Sequence, residues 1–185
     1  MSRWEPNASE RLRQAAMELY GERGYEQTTV AEIAKRAGLT ERTFFRYFAD
    51  KREVLFAGSS TLQDFFVSTL AGVPDSATPI EAVGEILDAA AGWFQDRPLS
   101  RQRQAIIDAN AELQERELIK LARLSTALAD AFRQRGLPDP AASLAAEAAV
   151  AVFKVAWERW MDETDKRDLA ELMRESLDEL KAVTS

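Results

Sequence analysis

The 185 residues contain neither cysteine nor histidine, and each absence removes a class of chemistry. Without a thiol there is no disulfide and no cysteine nucleophile; without an imidazole there is no serine–histidine pair. Structural zinc loses both of its usual ligands. No apolar run approaches the ~18–20 residues of a membrane span, and the N-terminal MSRWEPNASE lacks the apolar stretch of a signal peptide. The cytoplasm is therefore the expected location, with no membrane partner. Strict polar–apolar alternation over a strand's length is missing too, as are Asn-Gly and Asp-Gly hairpin turns. No catalytic residue, metal or cofactor is expected.

What is present in excess is negative charge, a formal −7 from 31 acidic and 24 basic residues. That balance argues against a nucleic-acid partner, because such proteins carry a basic face for phosphates. Dividing the chain changes the picture. Residues 1–52 hold ten basic and eight acidic residues and so carry +2; residues 53–185 hold fourteen and twenty-three and carry −9. The sign asymmetry points to two jobs and to two domains, 1–52 and 53–185.

Apolar residues recur at three- and four-residue spacing throughout, which predicts an all-α protein of about nine helices. Asn7-Ala8-Ser9-Glu10 caps the first helix, whose stripe is Leu12, Ala15, Ala16, Leu19 and Tyr20, and Gly21 and Gly24 mark its exit. Thr29-Val30-Ala31-Glu32 opens a second helix that Gly38 breaks, and Thr40 caps a third running to Phe48. Asp50 is expected to cap a longer helix reaching about Leu70. After the turn-rich stretch from Gly72 to Pro79, further helices are expected at Pro79–Gln95, Ser100–Ala109, Ala111–Arg135, Asp139–Asp162 and Lys166–Val183.

Two short helices separated by a glycine turn of about three residues form the helix-turn-helix pattern, whose second helix enters the major groove of DNA. The third helix has matching chemistry. Arg42 can pair with guanine, Thr40 and Thr43 can bond phosphate or base, and Arg46 and Tyr47 can meet phosphate. Lys51, at the start of the following helix, could hold a phosphate beside that helix's amides.

The run TTVAEIAKRAGLTERTFFRYFADKREVLF, residues 28–56, preceded by AAMELYGERGY, resembles the DNA-binding segment of the tetracycline-repressor (TetR) family of bacterial transcriptional regulators. The resemblance implies that Thr29, Thr40, Arg42, Thr43, Phe45, Arg46, Tyr47 and Lys51 sit on or near DNA, with Phe44 and Phe48 turned inward. Two positions depart from the family. Ala31 stands where some members place a base-reading arginine, and Phe45 replaces a tyrosine many use for a phosphate. Base reading then falls mostly on Arg42. The arm with Arg3 and Trp4 is read as a solvated end.

The resemblance further implies that the remaining two-thirds is a ligand-binding and dimerising bundle. A pocket between its helices would take its walls from aromatic residues and a few polar groups. Phe66, Trp93, Asp108 and Trp157 are the candidates. The helices at about 140–162 and 166–183 are the expected homodimer interface, through a small-residue face of Ala142, Ala145, Ala149, Val152 and Ala156 and a leucine stripe. Two heads then read a palindromic operator at half-sites about one helical turn apart (~34–36 Å). A small-molecule effector against Phe65 or Phe66 would tilt the fourth helix and release the repressor. Two alternatives stay open: a helical protein-interaction module without DNA binding, since two amphipathic core helices give the same periodicity, and a small enzyme using paired carboxylates.

Overall fold

In a computed structural model describing residues 7–162, 164 and 166–184, the Asn7 Oδ1 accepts the Glu10 N–H at 2.9 Å and opens α1 (Ala8–Arg23). The arm with Arg3 and Trp4 lies outside the described residues. Nine α-helices and no strand are found among those described. α2 (Val30–Arg36) starts with a full capping box: Thr29 Oγ1 accepts the Glu32 N–H, and Glu32 accepts from the Thr29 N–H. α3 (Glu41–Tyr47) starts on Thr40, whose hydroxyl accepts the Thr43 N–H.

Between α2 and α3 the chain turns on Gly38 at φ +67°. The Leu39 N–H reaches the Ala34 carbonyl at 2.8 Å and the Gly38 N–H the Lys35 carbonyl at 3.0 Å, the two bonds of a Schellman cap. A Cβ at Gly38 would also lie 2.9 Å from Arg11 Nη2, and that guanidinium donates to the Ala37 carbonyl at 2.5 Å, closing the same helix end. Gly38→Ala therefore costs about 1–2 kcal/mol for the left-handed backbone alone. Urea denaturation should show that loss, and an unchanged midpoint would mean the cap tolerates another geometry.

Residues 51–58 differ from expectation. Asp50 does act as a cap, its Oδ1 accepting from the N–H groups of Arg52 and Glu53, but the run after it is one of turns with i→i+3 bonds from Leu55, Phe56 and Ala57. Val54, Leu55 and Phe56 are all buried; an α-helix spreads three consecutive residues over about 200° and could not turn them all to one side. Gly58, at φ +84°, ends the run, and α4 (Ser59–Gly72) begins there.

α5 (Pro79–Ala91), α6 (Arg97–Asp108), α7 (Ala111–Gln134), α8 (Asp139–Met161) and α9 (Leu169–Val183) come next in the chain. Thr78 with Glu81 and Asp168 with Glu171 form capping boxes for α5 and α9, so α9 starts slightly later than the expected Lys166. By length and composition α8 meets the requirement for a membrane span, with a window of mean hydropathy 1.3, although no unbroken apolar run marks it. One of its faces, from Ala142 to Trp160, is core.

The chain folds into two compact units. One comprises the described residues up to Gly58 together with Arg101–Glu117; the other comprises Ser59–Ser100 and the described residues from Leu118 on. In the first, α1, α2 and α3 pack together, with Leu12, Ala16, Ile33 and Phe44 fully buried. Its α6–α7 segment is tied to the 51–58 turns. Arg103 Nε donates to the Leu55 carbonyl at 2.7 Å and its guanidinium lies 5.1 Å from the Phe56 ring centroid; Arg116 pairs with Glu53 at 2.5 Å, and Arg52 with Glu112 at 3.1 Å. In the second unit α5 packs against α4, α8 and α9, and α8 against α9, around Phe66, Leu70, Ile86, Leu128 and Phe132.

Candidate nucleic-acid interface

Helix α3 is held by one side and presents the other. Phe44 and Phe48 are buried, their ring centroids 5.5 Å apart. One turn apart on the opposite side stand Arg42 and Arg46, with Thr43 beside them. Phe45 is 55% exposed and Tyr47 43%, large apolar areas for a solvated helix. The Phe45 ring meets Phe44 edge-on at 5.4 Å. Arg46 donates to the Tyr47 hydroxyl at 3.2 Å and lies over its ring, so the pair presents a combined cation and phenol. Thr40 and Thr43 share a hydroxyl–hydroxyl bond of 3.0 Å.

Part of the positive charge nearby is neutralised inside the unit. Arg23 pairs with Glu32, Arg36 with Glu18 and Glu22, and Arg52 with Asp50. Three of these acids are held ionised well below neutral pH. The Thr29 N–H and hydroxyl hold the Glu32 carboxyl below the usual carboxylate range, the Arg36 guanidinium does so for Glu22, and Arg52 for Asp50. Among the described basic residues up to Arg52, only the side chains of Lys35 and Arg42 make no hydrogen bond, ion pair or ring contact. Both are exposed.

Two of the expected contact residues also make hydrogen bonds within the unit. Thr29 is exposed, but its hydroxyl serves the capping box, donating to Glu32 Oε2 at 2.9 Å. The Lys51 ammonium donates to the carbonyls of Tyr25 and Thr28 at 2.9 and 3.1 Å. It is held at the end of the loop before α2.

The four expected pocket residues do not form one group. Phe66 is 1% exposed and meets Phe153 edge-on at 6.1 Å; Trp157, half-buried, stacks on the same Phe153 at 5.9 Å and lies 4.8 Å from Phe94. Trp93 is 43% exposed and leans on Phe65. Asp108 belongs to the other unit, where its carboxylate accepts from Gln104 Nε2 at 2.9 Å. A cleft of about 150 Å³ in the second unit is lined by Ser125, Thr126, Ala129, Arg133, Ser143 and Glu147, with the Ser125 hydroxyl donating to Glu147 at 2.6 Å.

The small-residue face expected at the dimer contact is a correction. Ala142, Ala149, Val152 and Ala156 are buried within their own chain and Ala145 packs against the same core, as do Leu169, Leu172, Met173 and Leu177 of α9. The outer face of α8 is a different stripe, with Leu144 70% and Val155 49% exposed and Ala148 and Ala151 between them on the same side.

Residues 12–57 match the bacterial regulatory proteins of the tetR family, and residues 77–185, more than half of the chain, match the MftR C-terminal domain. The chain belongs to the tetR family. The HTH-type transcriptional regulator TcmR of Streptomyces glaucescens is 35% identical over 107 residues, 58% of this chain and 47% of that protein. The chain thus spans less than half the length of this curated relative. A tetR-family regulator from Mesorhizobium loti superposes over 97% of this chain and 98% of its own with a TM-score of 0.61 at 23% identity, which shows the fold. FadR of Thermus thermophilus, solved in complex with lauroyl-CoA, covers 94% and 93% with a TM-score of 0.56 at 26% identity.

The sequence reading gave no role to Lys35, whose exposed side chain has no partner among the described residues. It sits in the last turn of α2, where a basic residue is ordinary helix chemistry. Only its lack of a partner, beside the paired Arg36, distinguishes it. The contribution of residues 101–117 to the first unit was missed as well, because Arg103 and Arg116 carry no local pattern that names Leu55 and Glu53 as partners.

Proposed function

We propose that the protein is a homodimeric transcriptional repressor that binds a palindromic operator in double-stranded DNA through α3 and leaves it when a small-molecule effector binds the C-terminal bundle. The observation that carries this reading is Arg42, exposed at the start of α3 and without an internal partner. An arginine there can pair with the O6 and N7 of a guanine. Thr40, Thr43 and Phe45 supply the rest of the base-facing edge, and Lys35, Arg46, Tyr47 and the exposed Thr29 the phosphate contacts.

Two copies meet through the outer stripe of α8, Leu144, Ala148, Ala151 and Val155, where small residues allow close helix approach. The effector is an apolar molecule taken up near Phe94, Phe153 and Trp157; the lauroyl-CoA held by the Thermus relative supports an acyl or similarly apolar chemistry. Such a regulator works in the cytoplasm and is no enzyme.

The test is selection of duplexes from a random library by the purified protein, followed by binding to the recovered sequence over a range of salt. With Lys35 and Arg46 as the cations that face phosphates, a dimer neutralises about four of them, and log K falls with log salt at a slope of about −3.6. Ala151→Arg places a charge on the α8 stripe. It should yield a folded monomer by sedimentation and reduce operator affinity at least a hundredfold. No enrichment of any sequence by the wild-type protein overturns the reading.

A further inference from the structure

Phe44 and Phe48 hold the middle and the end of α3, but its first residues, Thr40, Glu41 and Arg42, are all exposed. The base-facing end of the helix is therefore placed by the turn that precedes it. That turn has a tie outside its own backbone. Arg11, half-buried in the first turn of α1, donates from Nη2 to the Ala37 carbonyl at 2.5 Å across a separation of 26 residues. Among the described residues this is the one side-chain hydrogen bond to residues 37–39.

Two further observations fit the guanidinium to this place. Ala37 is the C-cap of α2, so its carbonyl stands at the negative end of a helix, where a cation is favoured. Gly38 leaves the room: a Cβ there would come within 2.9 Å of Arg11 Nη2, so the missing side chain seats the arginine as well as allowing φ +67°. The other arginines of α1 and α2, Arg13, Arg23 and Arg36, each meet a carboxylate, whereas Arg11 meets a main-chain oxygen.

We infer that Arg11 is a positioning residue of the DNA-binding surface: its guanidinium pins the end of α2 to α1, fixes the 37–39 turn and so sets where Thr40 and Arg42 stand at the start of α3. This rests on the proposed DNA binding through α3. Without the bond the turn keeps its two backbone hydrogen bonds and α3 its buried phenylalanines, so the protein folds while the exposed start of α3 moves more freely. Misplacing the base-reading arginine lowers discrimination between sequences more than total affinity, because a paired arginine–guanine contact needs a fixed geometry that a phosphate contact does not.

The experiment uses the full-length protein with Arg11→Met and Arg11→Lys, at a temperature where circular dichroism shows wild-type helix content. Operator recovered by selection and a scrambled duplex are the DNA probes. In Arg11→Met the ratio of operator to scrambled-duplex affinity should fall about tenfold. Arg11→Lys, whose ammonium still serves one carbonyl, should stay within about threefold of the wild type. A wild-type ratio in Arg11→Met overturns the proposal, and so does a loss in Arg11→Lys as large as in Arg11→Met. If Arg11→Met does not fold, Arg11→Gln, whose amide ends short of the carbonyl, takes its place in every reading.

Two measurements on the free protein are independent of DNA. The Gly38 and Leu39 amides, whose hydrogen bonds close the turn, should exchange at least about tenfold faster in Arg11→Met, and unchanged exchange overturns the proposal. Gly38→Ala should lower the urea midpoint less in the Arg11→Met background than in the wild type, because there is no guanidinium left to displace. Equal shifts overturn the seating of Arg11 on Gly38 and the proposal with it. If the wild-type protein enriches no sequence, the DNA-binding reading fails, while these two readings still decide whether Arg11 fixes the turn.

Discussion

Arg42→Ala removes sequence preference and leaves the fold intact. The side chain is exposed and has no internal partner, so its truncation changes stability by no more than about 0.5 kcal/mol. A paired arginine–guanine contact discriminates by about 1–3 kcal/mol, and a dimer makes it twice, giving a loss of about 2–6 kcal/mol of specific binding. At 1.4 kcal/mol per factor of ten, that is a loss of at least about thirtyfold. Competition between the selected operator and a scrambled duplex at one salt concentration measures it. The non-specific component should weaken far less, because Lys35 and Arg46 remain. A variant that still prefers the operator as the wild type does would move base reading to Thr43 and Phe45.

Phe66→Ala acts on the other unit and through packing. The ring is 1% exposed, sits edge-on to Phe153 and belongs to the core built from Leu70, Ile86, Leu128 and Phe132. Truncating a phenylalanine so placed costs about 3–5 kcal/mol, from lost burial and from the cavity left behind. For a chain of this size the thermal midpoint should fall by about 10 °C. This sets Phe66 apart from Trp93, whose exposed ring predicts a loss of less than about 1 kcal/mol on truncation. If Phe66→Ala costs less than about 1 kcal/mol, the ring faces open space and regains its place as a pocket wall.

The helices and their starts were legible because their causes are local. Thr29 and Glu32 are three residues apart, and the Gly38 turn needs only its own missing side chain. The helix-turn-helix arises from the same short-range signals, whereas the inward Phe44 and Phe48 were legible only through the resemblance to the family. What was not legible depends on partners distant in sequence or on degenerate patterns. Alanines surround α8 on nearly every side, so periodicity could not tell the core face at Ala142 and Ala149 from the outer one at Ala148 and Ala151. Val54-Leu55-Phe56 read as part of a helix because each residue is apolar, and only their simultaneous burial shows a turn. Lys51 reaches carbonyls more than twenty positions upstream, for which no sequence signature exists. Asp108 was grouped with aromatic residues on composition, yet it belongs to a different unit.

The discontinuity of the first unit bears on how the protein is made. Residues 101–117 complete that unit, so it cannot finish folding when residue 58 emerges from the ribosome. About sixty further residues must be synthesised, which at roughly 5–20 residues per second takes several seconds. During that interval Glu53 and the Leu55 carbonyl await Arg116 and Arg103, and Val54 and Phe56 lack part of the segment packed within their unit. The head of this regulator is therefore not a detachable N-terminal module. Exchange of recognition helices between relatives should succeed when confined to residues 29–48 and fail when the graft ends at residue 58 without its α6–α7 segment.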